Sequence, residues 1–131
     1  MSLEGDNGRF LSVIGRGAGG SIRNIEAEKL QQDCWTTFTV HVVDAHHAYL
    51  EAADGKYLSR VYRNGVNHIE AAKTTPDDAC KFRVHQNGFT VSYQADNGLY
   101  LSRIYRNGRN NIEAAKKEVD VYSKFTIHLH P

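Results

Sequence analysis

Apolar and polar residues alternate with a period of two along most of the chain, in short runs broken by Asp, Asn and Gly. In Phe38-Thr39-Val40-His41-Val42-Val43, the residues Phe38, Val40 and Val42 point one way and Thr39, His41 and Val43 the other. Similar runs surround Gly8-Arg9-Phe10-Leu11-Ser12, Gly55-Lys56-Tyr57-Leu58-Ser59 and Gly98-Leu99-Tyr100-Leu101-Ser102. Each is entered through Asp6-Asn7-Gly8, Asp54-Gly55 or Asp96-Asn97-Gly98, and such dipeptides supply the positive φ of a tight hairpin. Each leads through a polar loop to Ile-Glu-Ala, at Ile25, Ile69 and Ile112, and closes on Phe-x-Val/Ile-His, starting at Phe38, Phe82 and Phe125. The pattern predicts four short strands per unit and no helix. The stretch from Glu26 to Gln32 is read as non-helical, because its counterparts hold Pro76 or Val119 in short loops.

The expected interior is Leu11, Leu58, Leu101, Ile25, Ile69, Ile112, Phe38, Phe82, Phe125, Val40, Val84 and Ile127. Each large side chain buried contributes roughly 1.5–3 kcal/mol. The two prolines, Pro76 and Pro131, interrupt no expected strand.

The units are copies of one another. Leu58 to Lys73 recurs almost unchanged as Leu101 to Lys116, and a worn version runs from Leu11 to Lys29. Three repeats (residues 2–44, 45–88 and 89–131) of four strands predict an all-β fold, a β-trefoil: a closed barrel capped by three hairpins, forming a single domain over residues 1–131. Packing symmetry would require only the apolar positions to recur. Here Tyr62, Arg63, Asn64, Asn67 and Glu70 return as Tyr105, Arg106, Asn107, Asn110 and Glu113.

That constellation is the candidate site. Repeat two offers an aromatic face (Tyr62), a guanidinium (Arg63), amides (Asn64, Asn67), an imidazole (His68) and a carboxylate (Glu70). Vicinal hydroxyls both donate and accept, so carboxylate, amide and guanidinium can each grip a pair while a tyrosine ring covers the apolar face of a sugar. Alternation places Ile69 and Ala71 inward and Glu70 outward. Repeat three presents Tyr105, Arg106, Asn107, Asn110, Asn111 and Glu113 in the same order. Repeat one keeps Arg16, Arg23, Asn24 and Glu26 but carries Gly15 for the tyrosine and Gly17 for the first asparagine, in a longer glycine-rich loop. The plainer reading is that Asn-Gly makes a turn and the match records a recent duplication. Val61 and Ile104 differ while the polar positions around them stay fixed, which favours binding.

Composition narrows the field. A net charge of +1 and a pI near 7.8 offer no whole-molecule field for nucleic acid or an acidic membrane. No apolar run approaches the roughly 20 residues of a membrane span. The start of the chain lacks the basic and apolar regions of a secretory signal, so the expectation is a cytoplasmic protein or one released by a non-classical route. Cys34 and Cys80 are then expected as reduced thiols. No nucleophile–base order, paired-carboxylate spacing or phosphate loop stands out, so neither catalysis nor a cofactor is expected. His41, His85 and His128 fall at equivalent outward positions, read as solvated or weakly packed and not as metal ligands.

Gly-Lys-Tyr-Leu-Ser, then Ile-Glu-Ala, then Cys-x-Phe-x-Val resembles the repeats of the actin-associated β-trefoils fascin and hisactophilin. The chain length and the Tyr-Arg-Asn-Gly loop are more similar to small marine-invertebrate β-trefoil lectins, the bivalve and crinoid galactoside-binding proteins of the SeviL and OXYL kind. That resemblance implies multivalent recognition of galactose- or GalNAc-type glycans on cell surfaces. The sequence itself is silent on dimerisation, a homodimer through one trefoil face being the commonest option. The alternative is a fascin-like actin-binding or bundling protein. The Gln-x-Trp signature of ricin-type lectins is absent, since the single Trp35 follows Cys34.

Overall fold

The computed structural model describes residues 1–130. Twelve strands are joined in one sheet: β1 (Ser2–Glu4), β2 (Phe10–Arg16), β3 (Ile22–Lys29), β4 (Thr39–Val42), β5 (His47–Glu51), β6 (Tyr57–Arg63), β7 (Val66–Lys73), β8 (Phe82–Asn87), β9 (Thr90–Gln94), β10 (Tyr100–Arg106), β11 (Arg109–Lys116) and β12 (Phe125–His128). The only helical turns among the described residues are short 3-10 segments, at Ala18–Gly20, Cys34–Thr36, Asp78–Cys80 and Val121–Ser123. The stretch from Glu26 continues β3 as far as Lys29 and forms no helix. Among the described residues no helix is long and apolar enough to cross a membrane.

Three long hairpins, β2–β3, β6–β7 and β10–β11, carry the same register and the same bulge, between Phe10 and Leu11, Tyr57 and Leu58, and Tyr100 and Leu101. The second and third close through Asn64-Gly65 and Asn107-Gly108, all four residues having positive φ. This is the type I′ turn whose twist matches the flanking strands. The first has a five-residue loop between the paired Arg16 and Ile22. The returning strands also pair with one another, β3 with β7, β7 with β11 and β11 with β3. The three hairpins therefore meet at one junction.

The core holds Leu11, Leu58, Leu101, Ile25, Ile69, Ile112, Phe38, Phe82 and Phe125, as expected, with Leu3, Leu50, Val91 and Tyr93. Val84 and Ile127 are only partly buried against it, and Val40 is 44% exposed. The reason lies in β4, which pairs with β5 alone and has no strand on its other side. Beyond Phe38 it leaves the core, and Val42 is exposed as well. The last three 3-10 turns are fixed by Asp33, Asp77 and Asp120, whose carboxylates accept from backbone N–H groups two residues on. Cys34 is exposed and Cys80 buried in different turns, and neither is in a disulfide. Burial pushes the Cys80 thiol up from its ordinary value.

Truncating Phe82 to alanine should cost about 3–5 kcal/mol in denaturant unfolding, whereas Val40→Ala should fall within about 0.5 kcal/mol of the parent. Equal losses at the two positions would show that β4 is packed elsewhere.

Candidate functional site

Residues opposite each other across a hairpin share a face, and that rule divides the expected constellation in two. In β6–β7 the pairs Ser59–Glu70, Val61–His68 and Arg63–Val66 lie on one face, and Arg60–Ile69 and Tyr62–Asn67 on the other. Hairpin β10–β11 repeats this, with Ser102–Glu113, Ile104–Asn111 and Arg106–Arg109 against Arg103–Ile112 and Tyr105–Asn110. In β2–β3 the first face carries Glu26, Asn24 and Arg16, and the second carries Arg23 opposite Gly15. Tyr62 and Arg63, adjacent in sequence, consequently belong to different surfaces.

The first face forms the hairpin junction. Glu70, expected to point outward into solvent, is buried, as are Glu113 and Glu26. Alternation does turn Glu70 away from Ile69, but that side meets the neighbouring hairpins and not water. The strand pairings place Asn24 beside Glu70, His68 beside Glu113 and Asn111 beside Glu26. Each carboxylate accepts from the arginine of its own hairpin. Arg16 donates Nε and Nη2 to Glu26 at 2.8 and 2.7 Å, and Arg106 donates Nε and Nη2 to Glu113 at 3.2 and 2.8 Å. Arg63 also forks onto Glu70, but end-on through Nη1 and Nη2. Burial pushes the Glu26 carboxyl up, but the hydrogen bonds from Arg16 and Asn24 and the charges of Arg16 and Arg109 outweigh it, and the group is held below its ordinary range.

Asn24 donates Nδ2 to both Glu26 Oε2 (3.0 Å) and Asn111 Oδ1 (2.8 Å). His68 stands where the other two hairpins carry these asparagines. Its pKa is lowered by burial and by the Arg63 charge, against the opposing pull of Glu70 and Glu113. A cavity of about 260 Å³ opens here, lined by Arg16, Arg63, Arg106 and Arg109 with Asn24 and His68. Asn107 reaches it from its turn, whereas Asn64 does not line it.

The second face enters the core at Ile69 and Ile112 and turns outward only toward the hairpin tips. Tyr62 and Tyr105 are about two-thirds exposed, at 64% and 68%. Asn67 and Asn110 are tethered beneath them, accepting from Arg60 (2.9 Å) and Arg103 (2.7 Å). Those two arginines escape a sequence reading centred on the loop, although Arg60 and Arg103 recur and Val13 replaces them in repeat one. They are spaced to brace the units: Arg60 forks onto Asp96 and Arg103 onto Asp6, while Arg23 approaches Asp54 at 3.5 Å. Tyr122 was missed for a different reason, since it lies far from Tyr105 in the chain. An open hollow of about 270 Å³ lies between Tyr105 and Tyr122, flanked by Arg103, Ile104 and Lys116. Both cations lie over the Tyr122 ring, at 5.2 and 5.3 Å from its centroid. Aligning the 3-10 turns puts Trp35 and Ala79 at the position of Tyr122, and Arg23 lies 4.8 Å over the Trp35 ring.

The three equivalent histidines are not merely solvated. His41 bonds Glu51 at 2.7 Å beside Tyr57, His128 bonds Glu4 at 2.8 Å beside Phe10, and His85 bonds Gln94 at 3.2 Å beside Tyr100. Among the described residues no group of three or more His, Cys, Asp or Glu side chains is placed to hold a metal ion.

No protein-family model matches the chain, and no curated protein matches it in sequence. Solved structures do match. A designed 3-fold symmetric protein, ThreeFoil, superimposes with a TM-score of 0.75 over 95% of this chain and 94% of its own, at 14% identity. A Polyporus squamosus lectin, solved with the influenza-binding epitope Neu5Acα2-6Galβ1-4GlcNAc, gives a TM-score of 0.75 over 95% of this chain and 46% of its own, at 11% identity. Cry35Ab1 gives 0.72 over 99% and 37%, at 14% identity. The chain thus spans less than half the length of the last two. At such identities the likeness carries the fold alone, which is the β-trefoil.

Removing Arg106 would leave Glu113 as an unpaired buried carboxylate, so Arg106→Ala should destabilise by about 3 kcal/mol in urea unfolding. Lys116→Ala, which breaks the exposed pair with Asp120, should cost less than about 1 kcal/mol. His68 gives a pH signature. Below its ordinary value of 6.5 the unfolded chain takes a proton that the folded one resists, so stability should rise with pH across that range. His68→Asn should flatten that part of the stability curve, and an unchanged curve would remove His68 from the account.

Proposed function

We propose that the protein is a carbohydrate-binding lectin, and that its fold is a single domain of three pseudosymmetric four-stranded repeats. The observation that carries this reading is the open, aromatic-walled hollow between Tyr105 and Tyr122. A sugar ring has an apolar C–H face that covers an aromatic ring and hydroxyls that need donors and acceptors at its rim. Tyr105 and Tyr122 supply the rings. Arg103 and Lys116 supply donors at the rim, and the tyrosine hydroxyls supply acceptors.

Repeat two offers Tyr62 over Asn67 but has Ala79 in place of the second ring, so its site is the weaker of the two. Repeat one offers Trp35 under Arg23, without the tyrosine. The constellation repeated in the sequence thus becomes a graded set of sites, and the buried glutamates move from sugar ligands to supports of the hairpins. The lectin structure from Polyporus squamosus supports glycan binding on this fold, and the resemblance to marine-invertebrate lectins suggests galactose- or GalNAc-type sugars. Shallow single sites of this kind bind at roughly millimolar to micromolar Kd. Repetition on one rigid body raises avidity by about 10² to 10⁴.

A glycan array should show galactose-terminated ligands retained, with actin co-sedimentation negative. Tyr105→Ala or Tyr122→Ala should each weaken galactoside binding by about 2- to 12-fold in calorimetry, the equivalent of ~0.5–1.5 kcal/mol for an aromatic face. Both chains should unfold like the parent, since Ala79 already occupies the Tyr122 position in repeat two. Filament binding with no retained glycan would replace this reading with the cytoskeletal one.

A further inference from the structure

The hairpin junction holds features that the outward sugar site does not use. Three carboxylates (Glu26, Glu70, Glu113) are matched by Arg16, Arg63 and Arg106, and Arg109 adds a fourth guanidinium at the same cavity. Arg109 stands directly opposite Arg106 across the hairpin. Like charges in that position repel, and the other two hairpins avoid it by placing Ile22 opposite Arg16 and Val66 opposite Arg63. Each paired arginine uses only two of its five N–H donors on its glutamate. The cavity therefore has an excess of positive charge and of donors.

A second observation is independent of charge. Asn24 is 5% exposed, and its Oδ1 has no hydrogen-bond partner. The amide orientation is set by Glu26, which can only accept, so Nδ2 faces Glu26 and Oδ1 is left as a buried acceptor without a donor. Asn24 lines the cavity together with the arginines. A bare anion would bring no proton for Oδ1, and a neutral sugar would not answer the arginines. A molecule carrying both groups meets both needs.

We propose that the junction cavity is a single binding site for an oxyanion on a hydroxylated ligand, such as a sugar acid or a small hydroxy acid. The anion is held by Arg109, Arg106 and Arg63, and one ligand hydroxyl donates to Asn24 Oδ1. About 260 Å³ accommodates one monosaccharide-sized group, so the stoichiometry is one per chain, in contrast to the repeated outward sites. The site stands apart from the lectin reading, because it shares no residue with the Tyr105 hollow except through the hairpin backbone.

The test uses the full chain, calorimetry and amide NMR shifts, with four probes: galactose, inorganic sulfate, the methyl glycoside of galacturonate (a chain-end sugar acid) and glycerate (a free hydroxy acid). At least one of the two hydroxylated acids should bind about tenfold more tightly than sulfate or galactose at the cavity, shifting the amides of Asn24, His68 and Asn111. Whichever acid is tighter identifies the source. Arg109→Val copies repeat two, so the fold should be retained, and it should weaken acid binding by about tenfold. Arg109→Lys should restore part of the loss, and Tyr105→Ala should leave acid binding unchanged. The proposal is overturned if both acids bind no better than galactose, if Arg109→Val binds them like the parent, or if the shifts centre on Tyr105 and Tyr122. The first two outcomes leave the lectin reading intact, whereas loss of galactose binding alone leaves this site intact.

Discussion

Three buried carboxylates decide how the hairpins can meet. A glutamate taken out of water is tolerated only when paired and hydrogen-bonded, and each of Glu26, Glu70 and Glu113 receives a forked arginine from the strand opposite. In each pair the arginine is the last paired residue before the turn and reaches back along the hairpin to its glutamate. With the carboxylates neutralised inside each hairpin, β3, β7 and β11 can pair with one another, and Asn24 bonds Asn111 across the junction. What stands outside, including Tyr62 and Tyr105, is positioned by that arrangement underneath.

The outer ion pairs tie neighbouring units together. Arg60 with Asp96, Arg103 with Asp6 and Arg23 with Asp54 each join one hairpin to the turn that opens the next unit. The chain thus has two polar layers around its apolar core, one holding the hairpins together and one holding the units in sequence. Replacing Arg60 and Arg103 by Val13 in repeat one shifts that duty to Arg23, which also stacks on Trp35.

Much of this was legible in the residues. The period-two runs and the repeated Leu, Ile and Phe positions gave the strands and nearly all the core. The Asn-Gly pairs gave the turns. The site was legible only in part, because alternation says which side of a strand a residue faces but not what lies beyond that side. Glu70 was turned away from Ile69 as expected, yet the space it entered was filled by two other hairpins. Val40 failed for the converse reason, an apolar residue on a strand that has no neighbour at its outer edge. Tyr122 and Arg109 carried no local signal, since their partners come from a distant turn and from the absence of a repeat-wide rule.

The pairing of β1 with β12 bears on how the chain reaches this structure. His128 bonds Glu4 across 124 positions, and Ser2 to Glu4 run in register with His128 to Thr126. Contacts so remote in sequence form only after most of the chain has given up its freedom, and their reward comes last. The long hairpins, closed by two-residue turns and local arginine forks, can form early and separately, whereas the seam between first and last strands must wait for all of them. Synthesis releases β12 after the other eleven strands, so the edge of β1 that it covers stays unpaired until then and is open to wrong partners in the interval.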